Sequence, residues 1–305
     1  MKPYITPLLF FLLITIASCE RVAFDADLPP SNPKVVIFSY ISPQDDTIKA
    51  RIVWSRPITE PDYSWTPNWI SNAEVIIRRD DDSALILSFD PNLKLYTSPH
   101  PNGFVRSGST YTIEVTPHGE KTVKATSTVP PLNSNLHFTR LDSTVLEYSV
   151  RHRFRIEIID PPGEPNYYRI IPLAVVEAVW NGNEPEIFTV NAEITYGQEM
   201  ISLGANDGDT ILIEGSVETY GHDYYSQNRL LGFFVDLYSI DEHYYRFYDT
   251  YYRYEGDNPF AEPVVIYSNT DYGLGIFAAY NRFSMLYPEF LPAGFSVITP
   301  QIGIK

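Results

Sequence analysis

The chain has 305 residues, 44% of them hydrophobic and 20% charged, with 25 Pro and 16 Gly; that supports a packed core and argues against collagen-like or low-complexity disordered classes. Its 38 acids against 22 bases leave a formal charge of -16, a sign that repels phosphate backbones and anionic headgroups and so argues against nucleic-acid binding or a polybasic membrane patch. Tyr (23) outnumbers Phe (17) and Trp (4), a composition that fits pleated, half-buried surfaces and points to an all-β protein.

Residues 1–18 read as a lipoprotein signal peptide. Lys2 gives a short positive region, and Ile5 to Ala17 is an apolar stretch of 13 residues, long enough for a signal peptide and too short to span a bilayer. Ile16-Ala17-Ser18-Cys19 resembles the bacterial lipobox, and Cys19 is the sole cysteine, so an intramolecular disulfide is ruled out. The expectation is removal of the leader and lipidation of Cys19, whose acyl chains would hold the protein on a membrane. Residues 19–33, with Glu20, Asp25 and Asp27 among several prolines, are expected to form a flexible tether reaching at most about 48 Å.

Residues 34–131 show strand signals at short spacing, the pattern of an immunoglobulin- or fibronectin III-like β-sandwich. Val35 to Ile41 is an apolar run. Ile48, Ala50, Ile52 and Trp54 alternate with polar neighbours, as do Tyr111, Ile113 and Val115, and then Val123, Ala125, Ser127 and Val129 after the turn at Pro117-His118-Gly119. Ala73 to Arg78 and Ala84 to Phe89 flank the acidic turn Asp80-Asp81-Asp82. Pro130-Pro131 followed by Leu132-Asn133-Ser134-Asn135 reads as a junction.

Residues 136–305 read as a second β-rich, sandwich-like domain. Phe154, Ile156 and Ile158 alternate; Tyr168 to Trp180 is a long arm ending at Asn181-Gly182; Thr210 to Val217, Leu230 to Tyr238, Pro263 to Tyr267 and Gly275 to Tyr280 are further strands. One helix is expected over about 240–254. Ser239 and Glu242 fit a capping box, Tyr244, Phe247, Tyr248 and Tyr251 recur at helical spacing, and Gly256 supplies the stop.

Catalytic patterns are weak. The six histidines never stand at zinc spacing, and a Gly-x-Ser-x-Gly elbow is missing. The acidic turns Asp45-Asp46, Asp80-Asp81-Asp82 and Asp207-Gly208-Asp209 lack the terminal Glu of a calcium loop. Glu157, Glu177, Glu193 and Glu214 lie in or near strands, yet no pair stands out as an acid and base. No metal and no cofactor are therefore expected. Binding candidates lie in two Tyr-rich, polar stretches: Tyr63, Trp65 and Trp69 among the prolines of residues 57–67, and Tyr220, His222, Tyr224, Tyr225 and Arg229 between two strand segments. Tyr supplies contact area at low entropy cost, and Gln227, Asn228 and Arg229 of the second stretch supply directional hydrogen bonds.

Several motifs occur in a telling order. They are the lipobox, Leu28-Pro29 before Val35-Val36-Ile37, Gly108 to Ile113 before Ala125 to Pro130, Asn166-Tyr167-Tyr168, the Tyr-rich helix, Asn258 to Pro263, Ser268-Asn269 and Gly273 to Phe277. From about Cys19 to Tyr280 the chain resembles the family of domain of unknown function 4249 (DUF4249). The resemblance implies an outer-membrane lipoprotein of Gram-negative bacteria, often encoded beside TonB-dependent transporters, with no catalytic residue set to carry over. Asn258, Pro259, Phe260, Glu262, Pro263, Asn269, Gly273 and Gly275 form the family fingerprint and are expected to be structural. The expected function is that of a non-enzymatic cell-envelope lipoprotein on the membrane through Cys19, exposed at the cell surface or facing the periplasm, an accessory or ligand-contacting partner of a TonB-dependent transporter. A stand-alone surface adhesin is the alternative, and a surface hydrolase the third reading.

Overall fold

Alternating apolar residues become one buried face wherever the period of two persists. Ile48, Ala50 and Ile52 point inward from β2 (Thr47–Trp54), Tyr111, Ile113 and Val115 from β7 (Thr110–Pro117), and Val123, Ala125 and Ser127 from β8 (Val123–Thr128). The computed structural model describes residues 32–56, 66–180, 184–205, 208–220, 226–254 and 264–288. Among the described residues the protein is mainly β and sandwich-like, with one helix near the C-terminus.

The remaining strands of the first half are β1 (Val35–Ile41), β3 (Asn68–Trp69), β4 (Ala73–Arg79), β5 (Ala84–Asp90) and β6 (Leu95–Pro99). After Pro130-Pro131 come β9 (Leu136–Val145), β10 (Ser149–Ile159), β11 (Asn166–Trp180), β12 (Glu186–Asn191), β13 (Glu193–Tyr196), β14 (Met200–Leu203), β15 (Thr210–Tyr220) and β16 (Ser226–Ile240). Helix α1 (Glu242–Arg253), the short β17 (Thr270–Asp271) and β18 (Leu274–Pro288) follow.

Among the described residues, one hydrogen-bonded path runs β12-β11-β16-β18-β1-β2-β6-β5-β4-β7-β8-β17, and a four-stranded sheet runs β13-β15-β10-β9. Strand β18 links the two halves of the long path. Its first residues pair in parallel with β1, Val36 opposite Leu274 through Ile41 opposite Ala279, and its later residues pair antiparallel with β16. That approach needs glycine at 275: φ is +93°, and a Cβ there would stand 2.1 Å from the Ile37 carbonyl oxygen.

Four buried clusters result among the described residues, the smallest made of Leu173, Val175, Leu231 and Phe234. Ile37, Ile52, Ile77, Tyr111, Ile113 and Phe277 belong to the first. The second lies between β9, β10 and β15 on one side and β11 and β16 on the other, where the ring of Phe138 sits 5.5 Å from Phe154 and 5.0 Å from Phe233. Tyr40, Tyr238, Tyr244, Phe247 and Ile276 form the third, where α1 packs on the sheet. Hydrogen bonds cross the Pro130-Pro131 segment: Asn281 Nδ2 donates to the Pro130 carbonyl (3.1 Å), and Asn133 N–H donates to Ser239 Oγ (3.1 Å).

Two expectations are corrected. Asp241, not Ser239, caps α1, and its Oδ1 accepts from Tyr244 N–H at 2.7 Å. Ser239 and Ile240 are still paired in β16, opposite Asn281 and Tyr280, so the chain cannot turn into a helix before Asp241. Glu242 faces Arg246 at 3.5 Å. Residues 264–267, expected as a strand, make no ladder: Tyr267 N–H donates instead to Thr250 Oγ1 on the helix (2.9 Å). The helix ends at Tyr254, whose N–H bonds the Tyr251 carbonyl. Gly256, like the leader, Cys19, the tether up to residue 31 and Asn181-Gly182, lies outside the described residues.

Candidate functional site

The first concave surface arises from the way α1 sits on the sheet. Its N-terminal half is driven inward by Tyr244 and Phe247, both buried, while Tyr251 one turn later is 52% exposed. The helix therefore leans over the outer face of β1 and leaves a groove of about 460 Å³. Phe38 and Tyr40 of β1 form its floor, Phe247, Tyr248 and Tyr251 one wall, and Tyr267 the other. Edge-to-face contacts fix these rings: Phe38 lies 6.1 Å from Phe247, and Tyr40 5.6 Å from Tyr244.

Polar atoms behind the rings are tied together. Arg169 donates to Tyr244 Oη (2.7 Å) and Glu199 (2.7 Å), and its guanidinium lies 5.6 Å from the Tyr248 ring. The Tyr40 and Tyr248 hydroxyls meet at 3.2 Å. Burial pushes the Tyr40 and Tyr244 phenols well above their ordinary value, so both stay neutral donors. Opposite them, Arg51 of β2 reaches the groove with its guanidinium 5.6 Å from the Trp69 ring, and burial draws its pKa down.

The second concave surface is a cleft of about 620 Å³. Val176, Phe188 and Val190 of the long path supply apolar surface, and Glu193, Glu218 and Tyr220 supply polar edges. Glu218 is held by Arg151 at 2.6 Å, by the Ser149 hydroxyl at 3.2 Å and by the Tyr220 hydroxyl at 3.2 Å. The guanidinium of Arg151 keeps its carboxyl below the usual range. Asn228 also lines this cleft, and its Oδ1 is buried with no hydrogen-bond partner among the described residues.

Of the binding candidates, Tyr220 stands at the cleft. Arg229 does not: the alternation of β16 sends it to the opposite face from Asn228, where it pairs with Glu177 at 3.0 Å. Trp69 lies beside the aromatic groove, between Arg51 and Lys94, whose Nζ is 5.9 Å from its ring. Tyr63, Trp65, His222, Tyr224 and Tyr225 fall outside the described residues. Asn228 belongs to the same polar, Tyr-rich stretch, but only the register, Asn228 opposite Ala178, shows that it faces inward.

The fingerprint residues that are described all lie at the β18 seam. Asn269 behaves as a missing strand segment: its Oδ1 accepts from Phe277 N–H (3.0 Å), and its Nδ2 donates to the Phe277 carbonyl (2.7 Å) and to the Thr126 carbonyl (3.1 Å). A Cβ at Gly273 would meet Val123 Cγ1 at 2.7 Å and the Val35 carbonyl at 2.8 Å. Asn258, Pro259, Phe260, Glu262 and Pro263 lie outside the described residues.

Among the described residues, no group of three or more His, Cys, Asp and Glu is arranged to hold a metal ion. In the acidic turn after β4, Asp81 is clasped by Arg79, and Asp80 accepts from Thr110 N–H at 3.0 Å. Glu214 pairs with Arg155 at 2.6 Å. No helix of the described residues is long and apolar enough to cross a membrane.

A mainly β, sandwich-like scaffold with a helix strapped over its central seam is the class that this architecture defines. The family model described as domain of unknown function (DUF4249) matches residues 22–285, and the chain belongs to that family. No curated protein matches it at a significant level.

Proposed function

We propose that this chain is a non-enzymatic lipoprotein of the outer membrane, anchored through Cys19, that works by surface contact as an accessory or ligand-contacting partner of a TonB-dependent transporter. The observation that carries the reading is the groove under α1. A concave surface built from Phe38, Tyr40, Phe247, Tyr248 and Tyr251 offers rigid contact area, which suits recognition of a partner or cargo group. The Tyr40 phenol, held neutral by burial, and the Arg51 guanidinium supply direction to that contact.

The leader supports the anchoring half of the proposal. Its apolar stretch, the Ile16-Ala17-Ser18-Cys19 sequence and the single cysteine fit diacylglycerol attachment, which gives stable membrane residence.

Gentle detergent extraction of the tagged chain, followed by mass spectrometry of what co-purifies, tests both halves, with Cys19→Ala as the unanchored control. The expected result is one TonB-dependent transporter in near-stoichiometric amount, lost in the control. Recovery of the wild-type protein alone would overturn the accessory role.

A further inference from the structure

We propose that the cleft beside Tyr220 is a binding site for a neutral saccharide. The inference goes beyond the transporter reading and does not depend on it.

Asn228 Oδ1 is the first reason. It lies buried at the cleft with no hydrogen-bond partner among the described residues, and a buried acceptor in that state has lost its hydration without replacement. A bound hydroxyl donating to it would supply that replacement. The composition of the walls is the second. The polar groups include several acceptors, the Asn228 amide oxygen and the carboxylates of Glu193 and Glu218, so the matching ligand is rich in donors. Carboxylates accept from adjacent hydroxyls of a sugar ring, and the apolar side of Phe188, Val176 and Val190 receives the C–H face of a pyranose.

Charge narrows the class. Glu193, at the exposed edge, repels an anionic sugar acid. Glu218 already spends its charge on Arg151 at 2.6 Å, so the cleft is not a trap for an organic cation, and the innermost acceptor is a neutral amide. Glu218 is also aimed in advance: the Ser149 and Tyr220 hydroxyls, each at 3.2 Å, fix its orientation, which lowers the entropy cost of recognition.

The test uses the full-length chain in detergent, titrated by calorimetry with maltotriose, cellotriose, xylotriose, chitotriose and mannotriose. Spermidine and glucuronate serve as charged controls. At least one neutral trisaccharide is expected to bind at millimolar concentration or better. Asn228→Leu is expected to weaken that binding about tenfold or more while leaving the melting temperature unchanged or higher, because it removes a buried unsatisfied acceptor. A purely structural asparagine would show no such split. Glu193→Gln, at the exposed edge, is expected to weaken binding without touching the core and serves if Asn228→Leu folds poorly. Ile86→Ser, exposed on β5 and away from the cleft, should leave the affinity intact. Binding of spermidine or glucuronate in place of the sugars, no binding by any of the five, or an affinity insensitive to both Asn228→Leu and Glu193→Gln would each overturn the proposal.

Discussion

Asp241 is enclosed on every side and its two oxygens serve three donors. Oδ1 caps α1 through Tyr244 N–H at 2.7 Å, and Oδ2 accepts from Ala279 N–H of β18 at 3.2 Å and from the Ser127 hydroxyl of β8. Asp241→Ala leaves all three unsatisfied and is expected to lower the unfolding free energy by roughly 3 kcal/mol in urea titration, more than the ~1 kcal/mol of an isolated cap. Burial pushes its carboxyl up to about 7 against those donors, and burial likewise raises Asp45, beneath the Tyr280 hydroxyl, and Asp236, beside Ser284. In each case the folded chain holds a proton that the unfolded chain releases near pH 4. The stability from these groups is therefore full below pH 4 and falls as pH rises through each folded value, which for Asp241 is about 7. Urea midpoints measured from pH 4.5 to 7.5 should decline, with a smaller slope in Asp241→Asn. Gly275 gives a second contrast at this scale. Gly275→Ala places a methyl 2.1 Å from the Ile37 oxygen, whereas Gly119→Ala, also at positive φ, meets nothing within 4 Å. The latter should cost about 1 kcal/mol and the former more than about 3 kcal/mol.

At the scale of elements, α1 is held by its aromatic face and not by its charges. Phe247→Ala is expected to cost about 3 kcal/mol by denaturation. Arg253→Ala, which removes the exposed pair with Asp249, should cost only a few tenths. The helix was legible because Tyr244, Phe247, Tyr248 and Tyr251 repeat at helical spacing. Its cap was misread because nothing local to Ser239 reveals that β16 is still pairing there. Strands β2, β7, β8 and β10 were legible from strict alternation. Strand β9 was not, since only its first residues face the core and the rest turn polar and exposed; β13 and β14 have four residues each, too few to show a period. The part of β18 beyond Tyr280 alternates only briefly, Phe283 and Met285 inward around the exposed Ser284, before the apolar Leu286 on the outer face breaks the pattern, yet it pairs with β16 through Pro288. The same limit governs the candidate site. Tyr220 could be picked out by type, but the inward turn of Asn228 and the outward turn of Arg229 depend on a register that shifts at Val175/Val176.

Across the whole molecule, β18 is the element on which both halves depend. It contributes Phe277 and Ala279 to the first core, packs Phe283 and Met285 against the second, and lays Ile276 and Tyr280 under α1. Parallel pairing with β1, about 240 residues earlier in the chain, leaves no local trace in the sequence, and so a reading from periodicity divides the chain at Pro130-Pro131 and sees only two successive β units. Native-state hydrogen exchange should show the amides of Ile113 in β7 and Phe154 in β10 opening with similar free energies, both reduced in Gly275→Ala. Unequal losses, confined to β7, would mean that the seam does not couple the two cores.

The seam also presents the aromatic groove, and the proposed role stands or falls on what that groove touches in the cell. A photoreactive phenylalanine analogue placed at Tyr251, on the groove wall, and separately at Ile86, 65% exposed on β5 and outside the groove, gives the most direct measurement. The expected result, after irradiation of living cells, is a single high-mass adduct from position 251 containing a TonB-dependent transporter and none from position 86. No adduct at 251, or the same adducts from both positions, would contradict a partner seated under α1.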